Sequence, residues 1–160
     1  MAFTMDNPLD PIRQILKKYL LQLESEPDIR DWITRQGIKI TEAEKSPRHG
    51  PLLLRSEYKT QPPEILIYQD VMEIWHKKIV EEIGVKDINI DILNELCLVH
   101  EFLHDLFYRA KTHFPGKEAR IIRKISLRQE EALIREMVRD WMKSRYPQYN
   151  DPLNLILDMN

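Results

Sequence analysis

The stretch Asp91-Ile92-Leu93-Asn94-Glu95-Leu96-Cys97-Leu98-Val99-His100-Glu101-Phe102-Leu103-His104-Asp105-Leu106-Phe107 decides how the chain is read. Its apolar residues return every three or four positions, which predicts a helix from about residue 89 or 91 to Thr112. Inside it stands His100-Glu101-Phe102-Leu103-His104, an H-E-x-x-H pattern. Residues four apart share one helix face, about one turn from each other, so two imidazoles at this spacing reach a single metal ion. Glu101, beside the first histidine, points along the flank, where its carboxylate meets a water at that metal and takes its proton. With five histidines in 160 residues, a chance match is expected on the order of 0.01 times per chain. Leu93, Leu96, Cys97, Leu103 and Phe107 fall on the same stripe as His100 and His104. This predicts that both imidazoles lie in the middle of the buried face, where a shared metal would relieve the cost of burying them unpaired.

Downstream, Pro115-Gly116 marks a loop. Ser126 with Gln129 reads as a capping box that opens a final helix to about Arg145, before Pro147. Upstream, Val71, Ile74, Trp75, Ile79 and Ile83 predict a helix ending at Gly84. Glu64-Ile65-Leu66-Ile67-Tyr68-Gln69 reads as a strand, bounded by Pro62-Pro63. Weaker strand signals lie at Ile38–Thr41 and Leu52–Glu57, separated by a polar loop with His49 and Gly50. The chain opens with a predicted helix over about 8–25 and a short one from Pro27 to Gly37. It closes on a tail, Tyr149 to Asn160, with an apolar stretch from Leu153 to Leu157. The class is α+β: a small sheet packed on helices.

Length and composition fit one soluble domain over 1–160, with 42% hydrophobic and 31% charged residues. A net charge of −2 and a pI of about 6.2 argue against a nucleic-acid partner. No apolar run approaches the roughly 20 residues of a membrane span, and Met1 to Asp10 lacks a signal-peptide pattern. The single cysteine, Cys97, excludes an internal disulfide. A cytoplasmic protein with no membrane partner is expected.

The segments Pro62–Tyr68, Leu98–His104 and Gln129-Glu130-Glu131-Ala132-Leu133 together resemble the minimal gluzincin metallopeptidases, and the related phage and bacterial zincins that cleave repressors. The resemblance covers about residues 62–142. It implies a zincin-like core over 62–146, preceded by a segment 1–60 of no assigned role and followed by the tail 147–160. It implies a zinc ion held by His100, His104 and a glutamate from the later helix, with a peptide or protein as substrate. Glu130 and Glu131 flank that helix's apolar face. Glu130 lies closer to its centre and is preferred, with Glu131 the alternative. Larger gluzincins often carry an acid four residues after the ligand glutamate; Ile134 or Arg135 stands there in this chain. The resemblance further implies that Ile65, Leu66, Ile67 and Tyr68 form an edge strand that aligns the substrate by β-addition.

The expected activity is therefore hydrolysis of peptide bonds by a zinc-activated water, with Glu101 as general base. The alternative is a non-catalytic zincin-like module that uses the metal for structure, recognition or regulation; a fourth ligand such as Cys97 would close the site and mark it. His76, His113, Tyr108 and Arg123 are candidates to stabilise an oxyanion. The tail, with Asp158 and a terminal carboxylate, is a candidate for autoinhibition across the cleft.

Overall fold

The computed structural model describes residues 9–47, 54–112, 116, 120 and 122–157. In chain order these form α1 (Asp10–Glu24), α2 (Ile29–Arg35), β1 (Lys39–Ala43), β2 (Ser56–Thr60), β3 (Pro63–Tyr68), α3 (Gln69–Glu82), α4 (Ile90–Thr112), α5 (Leu127–Arg145), a short 3-10 turn (Pro147–Tyr149) and α6 (Asn150–Leu157). The architecture is α+β, as expected, with a three-stranded mixed sheet. Leu52, Leu53, His49, Gly50, His113 and residues 158–160, which carried sequence-based expectations, lie outside the described residues.

Local chemistry explains the element boundaries. Asp28 accepts a hydrogen bond from the Asp31 N–H at 3.0 Å and so starts α2. Ser126 and Gln129 form the expected reciprocal capping box, which fixes where α5 begins. After α2, Gly37 adopts φ +87, a conformation that spares an L side chain its clash, and the chain turns directly into β1.

In the sheet, β3 lies in the middle: β1 pairs with it in parallel and β2 in antiparallel fashion. This corrects the expectation that Ile65, Leu66, Ile67 and Tyr68 form an edge strand. Both sides of β3 are hydrogen-bonded, and Ile65 and Ile67 are fully buried. A near-continuous apolar run is what a central strand requires. Polar β2, Ser56-Glu57-Tyr58-Lys59-Thr60, is an outer strand. The Tyr68 N–H donates to the Arg55 carbonyl at 2.9 Å, so Arg55 and Tyr68 form a hydrogen-bonded pair. The alternation of an antiparallel ladder then turns the main-chain N–H and C=O of Ser56 and Tyr58 away from β3.

One hydrophobic cluster runs from Ile12 in α1 to Ile156 in α6, and α4 passes through its centre. Fourteen of that helix's residues are buried, on nearly every side. Its apolar pattern is therefore not one stripe, which revises the expected position of the histidines. His100 and His104, with side chains 20% and 22% exposed, lie on a strip of α4 left partly open, and that strip looks towards α5. The buried Asp105 beside them accepts the Tyr58 hydroxyl at 2.5 Å. Arg109 Nε stands 2.7 Å from its other oxygen, close enough for an ion pair but without hydrogen-bond alignment.

The N-terminal segment, outside the family resemblance, has structural work. It supplies β1 and β2. It also supplies α1, whose buried Ile12, Leu16, Leu20 and Leu23 repeat at helical spacing and join the common core. Trp141 Nε1 of α5 donates to the Leu20 carbonyl at 3.2 Å, and Arg13 grips Glu136 at 2.6 Å. From the other end of the chain, α6 packs on α5, with Leu153 and Ile156 fully buried.

Candidate metal centre

Two elements make the centre. From α4 come His100 and His104, one turn apart, with ring centroids 5.2 Å from each other. From the first turns of α5 come Glu130 and Glu131. Adjacent residues on a helix diverge by about 100°, so the two carboxylates approach the histidines differently. Glu131 lies across both rings: its Oε1 is 3.1 Å from His100 Nε2 and its Oε2 is 3.0 Å from His104 Nε2. Glu130 is buried behind them. Its Oε2 is 2.7 Å from His104 Nδ1, and its Oε1 accepts from Lys111 Nζ at 2.9 Å.

The donor set fits a metal ion. One ligand atom each from His100, His104 and Glu131 lies within 4.8 Å of the others, and two imidazoles with a carboxylate suit a divalent transition metal. The sequence preferred Glu130 for the third position. The carboxylate that faces both Nε2 atoms is instead that of Glu131, while Glu130 holds the opposite nitrogen of His104. A carboxylate on the far nitrogen of a ligating histidine fixes its tautomer and raises its basicity. Among the described residues, no further His, Cys, Asp or Glu joins the group. Cys97 points its thiol at the Met72 sulfur, 3.8 Å away, and burial pushes that thiol up to about 12.

The charges of these side chains act on one another. Burial alone lowers the His104 imidazole, but its hydrogen bonds to Glu130 and Glu131 outweigh that and raise it to about 9. Hydrogen bonds from His100 and His104 hold the Glu131 carboxyl far below the usual carboxylate range. For Glu130, burial pulls upward, and His104 with Lys111 more than reverses it. Glu101 goes the other way. Burial raises its carboxyl, against the pull of His100 and of the Ser56 hydroxyl, which donates to its Oε2 at 2.7 Å.

Of these groups, His100, Glu101 and Glu131 border a cleft of about 750 Å³, lined also by Ser56, Arg55 and, from α6, Leu157 among others. Sequence reasoning missed Ser56, Arg55 and Lys111. Lys111 follows His104 by seven residues, two turns along the same face, and was legible on that ground. Ser56 and Arg55 carry no local signal, because only the placement of β2 brings them to α4. Of the oxyanion candidates, His76, Tyr108 and Arg123 do not line the cleft. Arg123 Nε donates to the Lys111 carbonyl, and the Tyr108 hydroxyl accepts from Gln61. No helix among the described residues is long and apolar enough to cross a membrane.

Comparison of the chain with protein-family models, with curated proteins and with solved structures returned no match.

Proposed function

We propose that this protein is a zinc-dependent peptidase of gluzincin type, acting in the cytoplasm on a peptide or protein substrate. One observation carries the reading: His100, His104 and Glu131 bring a ligand atom each within 4.8 Å of the others, and two of them, His100 and Glu131, line a cleft that also holds Glu101. Zinc bound by those three side chains would supply a Lewis acid that polarises a peptide carbonyl and acidifies water.

The chain's own residues do the rest. Glu101 takes a proton from the attacking water and delivers it to the leaving amine. Its raised affinity for protons, caused by burial, suits a group that must accept one and give it back near neutral pH. Ser56 keeps that carboxylate oriented. Glu130 orients His104. The outer edge of β2, where Ser56 and Tyr58 turn their main-chain groups outward, pairs with an extended peptide by β-addition; this transfers to β2 the role first expected of β3. The non-catalytic module is the alternative reading. The absence of a fourth ligating side chain from the described group favours the enzyme, since a catalytic zinc keeps one position open.

The test is Glu101→Gln. The variant should keep the fold and bind zinc as the wild type does, and lose hydrolysis of a broad peptide library by several orders of magnitude. Equal cleavage by both proteins would refute the mechanism. Zinc binding without cleavage by the wild type would favour the module.

A further inference from the structure

Glu130 is held from two sides, and both holds come from α4. Its Oε2 lies 2.7 Å from His104 Nδ1 and its Oε1 lies 2.9 Å from Lys111 Nζ. His104 and Lys111 are seven residues apart, two turns along one face of the helix. The carboxylate reaches in from the first turn of α5 and lies lengthwise between them. An ion pair on an open surface contributes little, but this one is not on an open surface. The Glu130 side chain is 9% exposed and that of Lys111 26%, so salt and water screen the contact weakly. The backbone at Lys111 is fixed as well, because its carbonyl accepts from Arg123 Nε at 2.9 Å.

A carboxylate with a single partner turns about its last bond and presents either oxygen. With Oε1 anchored on Lys111, Oε2 has one direction left, the Nδ1 edge of the His104 ring. There it accepts the Nδ1–H and leaves the Nε2 lone pair for a metal. Nε2 is the nitrogen that stands 3.0 Å from Glu131 Oε2. Lys111 also separates the work of the two neighbouring glutamates. It draws Glu130 along α4, away from His100, while Glu131 reaches the Nε2 atoms of both histidines. The ammonium balances the Glu130 charge, so the carboxylate fixes the ring without adding net charge behind it.

We infer that Lys111 is a positioning residue for the metal centre: by anchoring Glu130 it sets the rotation of the His104 ring, and so aims Nε2 at the same metal ion as His100 and Glu131. Lys111 touches neither metal nor substrate and acts through Glu130 alone. The inference rests on the zinc site of the peptidase reading and does not need hydrolysis.

Metal binding by the full chain tests this. Lys111→Met should lower zinc affinity about tenfold, the low end of the loss that follows a change behind a ligating histidine. Competition of zinc against a chelating dye measures it. Lys111→Arg keeps a cation within reach of Glu130 and should bring the affinity back to within about threefold of wild type. Cobalt(II) bound in place of zinc absorbs visible light according to the arrangement of its ligands. Its spectrum should change in Lys111→Met and return in Lys111→Arg, which a loss of stability alone would not produce. A double-mutant cycle shows the route. In a chain already carrying Glu130→Ala, Lys111→Met should change zinc affinity by less than about twofold, because the group it acts through is gone. Lys111 is partly exposed in the last turn of α4, so its variants should keep the fold, as read by melting of the metal-free chains. Where Lys111→Met does not, Lys111→Gln, equally uncharged, takes its place. Wild-type affinity in a folded Lys111→Met or Lys111→Gln chain, an unchanged cobalt spectrum, no rescue by Lys111→Arg, or the same loss with and without the Glu130 carboxylate would overturn the role. The peptidase reading is judged separately. A protein that shows this pattern of zinc affinities and cleaves no peptide keeps the role of Lys111 and loses the activity. One that cleaves peptides, with a zinc affinity untouched by Lys111→Met, keeps the activity and loses the role.

Discussion

Glu130 Oε2 stands 2.7 Å from His104 Nδ1, on the opposite side of the ring from Glu131. Neighbouring glutamates thus hold one imidazole by its two nitrogens. The arrangement assigns the pair different work and ranks their variants. Glu131→Gln should weaken zinc binding more than Glu130→Gln, which should cost about 10–100-fold, the usual loss for a group behind a ligating histidine. Competition against a chelating dye measures both. The reverse ranking would return the third ligand to Glu130.

Ser56→Ala removes the hydroxyl that donates to Glu101 at 2.7 Å. Zinc affinity and KM should be unchanged. The kcat should fall by about fivefold, in line with the loss of one net hydrogen bond of about 1 kcal/mol. A variant with full kcat would show that Glu101 is oriented by packing alone.

Phe102 lies between Glu101 and His104 in sequence. It is fully buried and packs edge-on against Trp32 at 5.2 Å. Phe102→Ala should cost about 3–5 kcal/mol of folding stability, read from urea denaturation. Saturating zinc should restore part of it, about 2.7 kcal/mol at a hundred times its dissociation constant.

Cys97 offers a pH-dependent readout. Its thiol has a reference value of 9.0 and is pushed up to about 12 by burial. A folded value above the unfolded one gives stability that is complete below pH 9 and is lost as pH rises from 9 towards 12. The same shift leaves about a thousandfold less thiolate at pH 8 than an unshifted group has. Alkylation by iodoacetamide at pH 8 should therefore be slow by about that factor until denaturant is added. Rapid labelling of the native protein would show the thiol to be open to solvent.

Deleting residues 150–160 should destabilise the chain by about 3–6 kcal/mol, because Leu153 and Ile156 are both fully buried. A rise in activity on such a deletion would not by itself show that the tail blocks the cleft, so the melting temperature has to be measured alongside.

Much of this was readable from the sequence, and the limits have physical causes. The period of Leu93, Leu96 and Leu103 gave α4, and Ser126 with Gln129 gave the start of α5, because a helix writes its boundaries and its buried residues locally. Strand order is not local. The apolar run Ile65-Leu66-Ile67 already had the character of a central strand, and Ser56-Glu57-Tyr58-Lys59-Thr60 that of an outer one. The resemblance to gluzincins drew attention to the more apolar segment instead. The choice between Glu130 and Glu131 was open for another reason. Both flank the buried face of α5, and the rotation of that helix against α4 decides which carboxylate meets the Nε2 atoms. Partners such as Trp141 with the Leu20 carbonyl set that rotation, across 121 residues of chain. The apolar tail stretch was legible as apolar but not as a helix, since eight residues carry too little periodicity to declare themselves.

The clamping of α5 between α1 and α6 bears on how the molecule comes into being. His100, Glu101 and His104 enter the growing polypeptide before Glu131, and the packing of α5 on α1 and on α6 fixes where Glu131 lies. A chain that stops short of Glu131 therefore carries the H-E-x-x-H motif without the third side chain of the group.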